Sequence, residues 1–155
     1  MHGHGLRSRQ VRGPATADGP SVLRLTAVRR YLCTKCGSTT TVAPREVATR
    51  RLFSACAIGL ALALFGVSKL SLSEVRARIS PWATVGATSA ATWGTALRWV
   101  AAVRAGRLFE VRDAPVTWTA RQIAARAATT LAARAPVRPG TDDVVADAFV
   151  GALSG

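Results

Sequence analysis

Arg29-Arg30-Tyr31-Leu32-Cys33-Thr34-Lys35-Cys36-Gly37 places two of the chain's three cysteines at the Cys-x-x-Cys-Gly spacing of a zinc knuckle. Two thiolates three residues apart can reach one Zn(II), and a glycine straight after the second permits the tight backbone turn that such knuckles use. Arginines precede the stretch, and the Thr-rich segment Ser38 to Val42 follows it. Upstream, the sequence is basic and reads as irregular or strand-like. Downstream of Pro44 it is Ala-rich and reads as helical.

Working outward toward the N-terminus, Ser21 to Leu32 is a strand candidate. Val22, Leu25, Val28 and Leu32 are among its apolar positions, and Arg29-Arg30 interrupts it. Gly5 to Arg12 alternates weakly, as an edge strand does. Met1 to Pro20 has no long apolar core, so it does not read as a signal peptide. With Cys33 to Gly37 as the turn and Ser38 to Val42 returning until Pro44, two or three short strands would surround one metal, which is the build of a zinc ribbon.

A structural zinc takes four ligands. Cys56 lies in an apolar run and reads as a buried thiol, so the remaining soft ligands are His2 and His4, the chain's two histidines. A Cys2His2 set from His2, His4, Cys33 and Cys36 is chemically allowed. It would draw on an N-terminal end, where chains are often poorly ordered. A redox dithiol is the rival reading of Cys33 and Cys36. It lacks the helix that follows such a site, because Ser38-Thr-Thr-Thr-Val is strand-like.

Beyond the basic hinge Arg45 to Arg51, Leu52 to Val67 is the most hydrophobic run of the chain. Its uncharged core is short of the ~20 apolar residues that span a bilayer. It is expected to form a buried helix ended by Gly66. A second helix is expected from Ser71 or Ser73, with Leu72, Val75 and Ile79 inward and Ser80-Pro81 as its end. Ser73 is followed three residues on by Arg76, so it would cap without a capping box. A third pattern runs from Trp82 through Val85, Ser89, Trp93, Leu97 and Val100 to Arg104, stopped by Gly106. Arg107 to Pro115 links it to a fourth helix capped by Thr117 or Thr119 and running to Ala135. Thr141 or Asp142 then caps a last short helix, Asp143 to Leu153.

The expected fold class is therefore mainly α: a small β zinc-ribbon-like module over residues 1–44, followed by a bundle of about five helices. A helix-turn-helix-like unit would occupy 45–106 and a helical pair 116–155. The first three helices suit three packed core helices or a DNA-reading unit, and the charge favours the latter.

Charge bears on function more directly than fold does. The 155 residues carry a formal net charge of +13, and residues 1–81 hold 13 of the 21 basic residues against Asp18, Glu46 and Glu74. Such a field attracts polyanions. All but Lys35 and Lys69 of the basic residues are arginine, whose planar fork suits phosphate and guanine. A GC-rich genome would also enrich Arg and Ala. The eight carboxylates do not converge as two-metal phosphoryl transfer requires, and Asp142-Asp143 is explained by capping. The folded part holds no histidine to serve as a base, and no Gly-rich phosphate loop occurs. The chain is thus expected not to be an enzyme, and to have no small-molecule substrate.

Residues 2–14 (His-Gly-His-Gly-Leu-Arg-x-Arg-x-x-x-Gly-Pro), 29–37 (Arg-Arg-Tyr-x-Cys-x-x-Cys-Gly), 50–58 (Arg-Arg-x-x-Ser-Ala-x-Ala-Ile) and 75–82 (Val-Arg-Ala-Arg-x-Ser-Pro-Trp) occur in that order. In this they resemble the N-terminal zinc-ribbon and helix-turn-helix region of bacterial insertion-sequence transposases and short transposase-like proteins. The resemblance covers most of residues 1–110. In such ribbons a further Cys-x-x-Cys precedes the His-Gly segment, so only Cys33 and Cys36 match metal positions here. It implies double-stranded DNA as partner, zinc as cofactor and a DNA-recognition role without a catalytic domain. Arg29, Arg30 and Lys35 on the ribbon, and Arg45, Arg50, Arg51, Arg76 and Arg78 beyond it, would be the DNA contacts. The Cys-x-x-Cys in a basic chain points to a reducing, cytoplasmic setting. Competing expectations are a small membrane-associated protein that inserts 52–67 between headgroup-bound arginines, and a degenerate mobile-element remnant.

Overall fold

A computed structural model describes residues 1–48, 50–83, 93–111, 115–137 and 143–154. Among them are a three-stranded antiparallel sheet in the order β1 (His2–Pro14), β2 (Ser21–Leu32), β3 (Thr39–Val42), and five helices. The helices are α1 (Ala55–Gly66), α2 (Leu72–Ile79), α3 (Gly94–Arg104), α4 (Ala120–Ala132) and α5 (Val144–Gly151).

This is a small α+β fold, and it corrects the expectation of a mainly α chain carrying a zinc ribbon. The N-terminal unit is a long hairpin held by backbone pairing, not short strands gathered around a knuckle. Its register runs from His2↔Leu32 to Pro14↔Ser21, with an irregularity between Gly3 and Leu6. Gly5, at φ +98°, supplies there a conformation that other residues rarely adopt. β2 coincides with the strand expected over Ser21 to Leu32 and β3 lies within Ser38 to Val42, whereas β1 runs beyond the weak strand expected at Gly5 to Arg12, its full length obscured by exposure. The first seven residues of β1 are exposed, and among the hairpin's apolar side chains only Val11, Pro14 and Val28 are fully covered. Leu6, Leu23 and Leu25 lie on the outer face in solvent. Without a continuous buried face, the strands lack the alternation that sequence patterning detects.

α1 is the centre of the molecule. Its first nine residues, Ala55 to Ala63, are all buried, and Phe65 beyond half-buried Leu64 is buried as well. α4 and α5 pack closely on it through small residues. A side chain added at Gly59 would lie 2.8 Å from the Ala148 carbonyl oxygen and 3.0 Å from Ala152 Cβ, so glycine sets the α1–α5 approach. Gly66 meets the Ala124 and Ala125 backbone, and Gly151 meets the Leu131 carbonyl, in the same manner. On another side of α1, Phe53, Trp93 and Trp99 form an edge-to-face trio with centroids 5.2 to 6.0 Å apart. Among the described residues no helix is long and apolar enough to cross a membrane. α1, in the run 52–67 considered for insertion, has 12 residues.

Four of the five described helices start at a side-chain cap, the exception being α3, where Trp93 makes no capping bond. Ser54 accepts from the Ala57 N–H, and Asp143 accepts from Val145 and Ala146. The second helix is capped by Ser71, not Ser73, and Ser71 and Glu74 form the full capping box. Thr119 and Gln122 form another at α4, and Gly106, at φ +64°, follows α3. Val85 and Ser89 of the third pattern, the alternative caps Thr141 and Asp142, and residues 112–114 of the linker lie outside the described residues.

Two sets of contacts join the sheet to the helices. Arg12 exchanges backbone hydrogen bonds with Leu52 (2.8 Å) and Ser54 (2.9 Å), so the segment entering α1 pairs beside β1. At the opposite end, the Arg78 guanidinium donates to the carbonyls of Gly19 (2.8 Å) and Ala17 (2.7 Å), while the Ser21 hydroxyl donates to those of Arg78 and Ile79. The β1–β2 turn is thereby fastened to the C-terminus of α2.

Candidate nucleic-acid interface

A basic concavity lies between the sheet and the segment leading into α1. Arg7 and Arg9 are two apart on β1, so the strand's period of two puts them on one face. That face continues through Val28, opposite Arg7, and through Thr41 on β3, opposite Arg30. Arg50, Arg51 and Leu52 form the facing wall, and together these residues line an open groove of about 750 Å³. Four arginines line it, and among the described residues no Asp or Glu does.

The wall opposite the sheet is held, not loose. Arg9 donates to the backbone carbonyls of Arg51 (3.0 Å) and Ala48 (3.3 Å). The Ala55 N–H bonds the Glu46 carbonyl, Val47 bridges Ser54, and Arg12 fixes Leu52 and Ser54. Between these anchors Arg50 sits at φ +57° with its side chain exposed. A left-handed conformation is costly for an arginine and persists only where its surroundings enforce it. The result is an exposed cation carried on a braced turn beside Arg7. Arg24, on the same sheet face as Arg9 and opposite Val11, pairs instead with Glu46 at 3.5 Å.

The arginines expected to contact DNA fall into different settings. Arg50 and Arg51 enter the groove. Arg45 is exposed and lines an adjoining cleft with Arg51. Arg29 is exposed opposite Leu6 and Val42, on the outer sheet face, whereas Arg30 is half-buried opposite Thr41. Lys35 is exposed in the knuckle. On α2, Arg76 and Arg78 are half-buried and turned inward, Arg76 donating to the Trp82 carbonyl (3.2 Å) and Arg78 to the β1–β2 turn. The exposed positions of α2 are Ser73, Glu74 and Ala77, which do not make a basic face. Arg7 and Arg9 were missed by sequence reasoning. Their signal is the alternation Arg7-Ser8-Arg9-Gln10-Val11, which ends on a buried valine and so reveals which face turns toward the helices.

The knuckle is a formed turn. The Cys33 N–H bonds the Ser38 carbonyl (2.8 Å), the Gly37 N–H bonds the Cys33 carbonyl (2.9 Å), and Gly37 takes φ +69°. Cys36 is exposed, with its Sγ 3.0 Å from Ser38 Oγ. Hydrogen bonds from the Ser38 side chain, then the Ser38 backbone, then Cys33 lower its thiol from 9.0 to about 7. Buried Cys56 is pushed the other way, to about 11, by desolvation and by the Glu46 carboxylate. His2 pairs with Leu32 at the knuckle end of the hairpin, and both histidines are exposed. Among the described residues no group of three or more His, Cys, Asp or Glu side chains is placed to hold a metal ion. The knuckle supplies two ligands, short of the four of a closed structural zinc site. These residues therefore do not by themselves fit a structural zinc.

No protein-family model matches the chain, and no curated protein or solved structure shows significant similarity to it.

Proposed function

We propose that the chain binds double-stranded DNA through the groove between β1 and the segment 50–52, serving as the recognition portion of a transposase-like protein and not as its catalyst. The observation that carries this reading is the convergence of Arg7, Arg9, Arg50 and Arg51 on one groove that, among the described residues, no carboxylate lines. A concave, single-sign site raises the local potential for a polyanion, and arginine forks match phosphate oxygens. The formal net charge of +13 supports the same partner. Arg45, exposed and lining the adjoining cleft, and exposed Lys35 add to the positive surface. The transposase-like context rests on the order of motifs in the sequence.

Titration of a fluorescent 25-bp duplex, followed by anisotropy between 50 and 200 mM salt, tests the proposal. Each phosphate neutralised contributes about −0.9 to the slope of log K against log salt; with Arg9 held by the Ala48 and Arg51 carbonyls, Arg7, Arg50 and Arg51 predict about −2.7 and a loss of about 40-fold over this range. The double variant Arg7→Ala/Arg50→Ala should flatten the slope by about 1.8. Absence of binding at 50 mM salt, or a slope that the double variant leaves unchanged, overturns the proposal.

A further inference from the structure

Arg51 also lines a second cleft. It has a volume of about 430 Å³ and lies between the segment Arg45–Ala48, the first turn of α1 and the loop Gly106–Glu110 that follows α3. Arg45, Arg51 and Arg107 supply three cations, Phe109 an aromatic ring, and Glu110 the single carboxylate. The loop's backbone is unusual. Phe109 (φ +63°) and Glu110 (φ +43°) are consecutive non-glycine residues in the left-handed region. Buried Leu108 and Val111 on either side anchor them, and Phe109 itself rests half-buried on the core. The fold thus imposes a disfavoured conformation and brings a ring and a carboxylate together at a cleft that is otherwise basic.

This combination differs from that of the groove. Cations alone read a backbone, whereas an aromatic ring beside them offers a stacking surface for an exposed base. A carboxylate accepts from the exocyclic amino group of cytosine or adenine. The volume falls within the ~300–1,000 Å³ of small-ligand sites and suits a single nucleotide, not stacked base pairs. Because Arg51 borders both concavities, a strand whose duplex part lies in the groove can pass its next nucleotide into the cleft.

We infer that the second cleft takes one unpaired nucleotide, its phosphate on Arg45, Arg51 and Arg107, its base against Phe109 and its amino group on Glu110. The inference rests on the duplex-binding reading of the groove, and it narrows the substrate to a duplex bearing a single-stranded end. A free nucleotide shares this chemistry.

Anisotropy competition with the full chain distinguishes these cases, using a blunt 25-bp duplex, the same duplex with a one-nucleotide 3′ or 5′ dC overhang, and free dCMP. The overhang duplex of one polarity should bind about tenfold tighter than the blunt one. Phe109→Leu keeps an apolar side chain on the core while removing the ring, and should abolish that preference without changing blunt-duplex affinity. Arg107→Ala, at an exposed position, should do the same, whereas Arg7→Ala/Arg50→Ala should weaken both duplexes together. Equal affinity for blunt and overhang duplexes, both bound tightly, overturns the cleft and leaves the groove intact; a preference that survives Phe109→Leu and Arg107→Ala also overturns it. Failure of every duplex to bind refutes the groove reading. Saturable dCMP binding that Arg107→Ala removes and Arg7→Ala/Arg50→Ala spares would, in that event, support the cleft with a free nucleotide as its source.

Discussion

Replacing Arg78 by Gln should cost stability and leave DNA binding by the folded protein unchanged. Its guanidinium donates to the carbonyls of Ala17 and Gly19, 61 and 59 residues away in sequence, and is half-buried beneath the β1–β2 turn. Hydrogen bonds made by a charged group contribute about 1.5–3 kcal/mol each in net terms. Here the two carbonyls lie close to solvent and water can replace part of what is lost. The Ser21 hydroxyl, which bonds the Arg78 and Ile79 carbonyls, would still hold the junction. The lower end for the pair is therefore appropriate, about 2–3 kcal/mol. For a chain of this size that corresponds to a fall in Tm of about 4–12 °C. Urea unfolding followed by tryptophan fluorescence measures the first quantity. The salt dependence of duplex binding, at a temperature where the variant is fully folded, measures the second. An unchanged unfolding midpoint together with a salt slope reduced by about 0.9 would refute the reasoning, since it would make Arg78 a phosphate contact and not a clamp.

Other expectations follow from the packing and from the knuckle. Gly151→Ala would drive a methyl into the Leu131 carbonyl at the α4–α5 contact and should destabilise the chain by about 1–3 kcal/mol in thermal melts; a change below 0.5 kcal/mol would show that the two helices separate easily. Trp99→Ala, which removes one ring of the buried trio with Phe53 and Trp93, should cost about 3–5 kcal/mol in urea unfolding. Because only the thiolate is nucleophilic and the Ser38 hydrogen bonds favour it, alkylation of Cys36 should rise through a midpoint near pH 7. Ser38→Ala should move that midpoint up toward the ordinary 9.0, and an unmoved midpoint would exclude the hydroxyl as the cause. Cys56, buried and pushed up to about 11, should stay unlabelled at pH 7–8 until the chain unfolds.

Helix order was legible because the helices carry local signals, an apolar run and a stop, and for all but α3 a cap. Gly66, Ser80-Pro81, Gly106 and Thr119 all lie at the element ends that the structure shows. The capping box at Ser71 was legible too, from Glu74 three residues on, yet Ser73 competes for the same role when only spacing to the apolar stripe is weighed. The hairpin was harder to read. Leu25 is 72% exposed although its type suggests a core position, and the residues that cover the sheet are few. A strand whose stability comes mainly from backbone pairing leaves a weak trace in side-chain pattern. The thiol pair Cys33 and Cys36 could be found by motif. How many ligands approach it depends on where distant segments lie.

By itself, then, the sequence determined the excess of arginine, its concentration in the first half, the succession of helices and the knuckle's turn. These properties depend on composition and on contacts within a few residues. Which arginines act together was decided only by tertiary structure. Arg7 joins Arg50 and Arg51 because β1 and the segment entering α1 are bridged beside Arg12 and clamped by Arg9, while Arg78, the same residue type, is turned inward onto the β1–β2 turn. A guanidinium bonds whichever acceptors the fold brings within about 3 Å, and residues some 40 to 60 positions apart reach that distance only once the chain has folded.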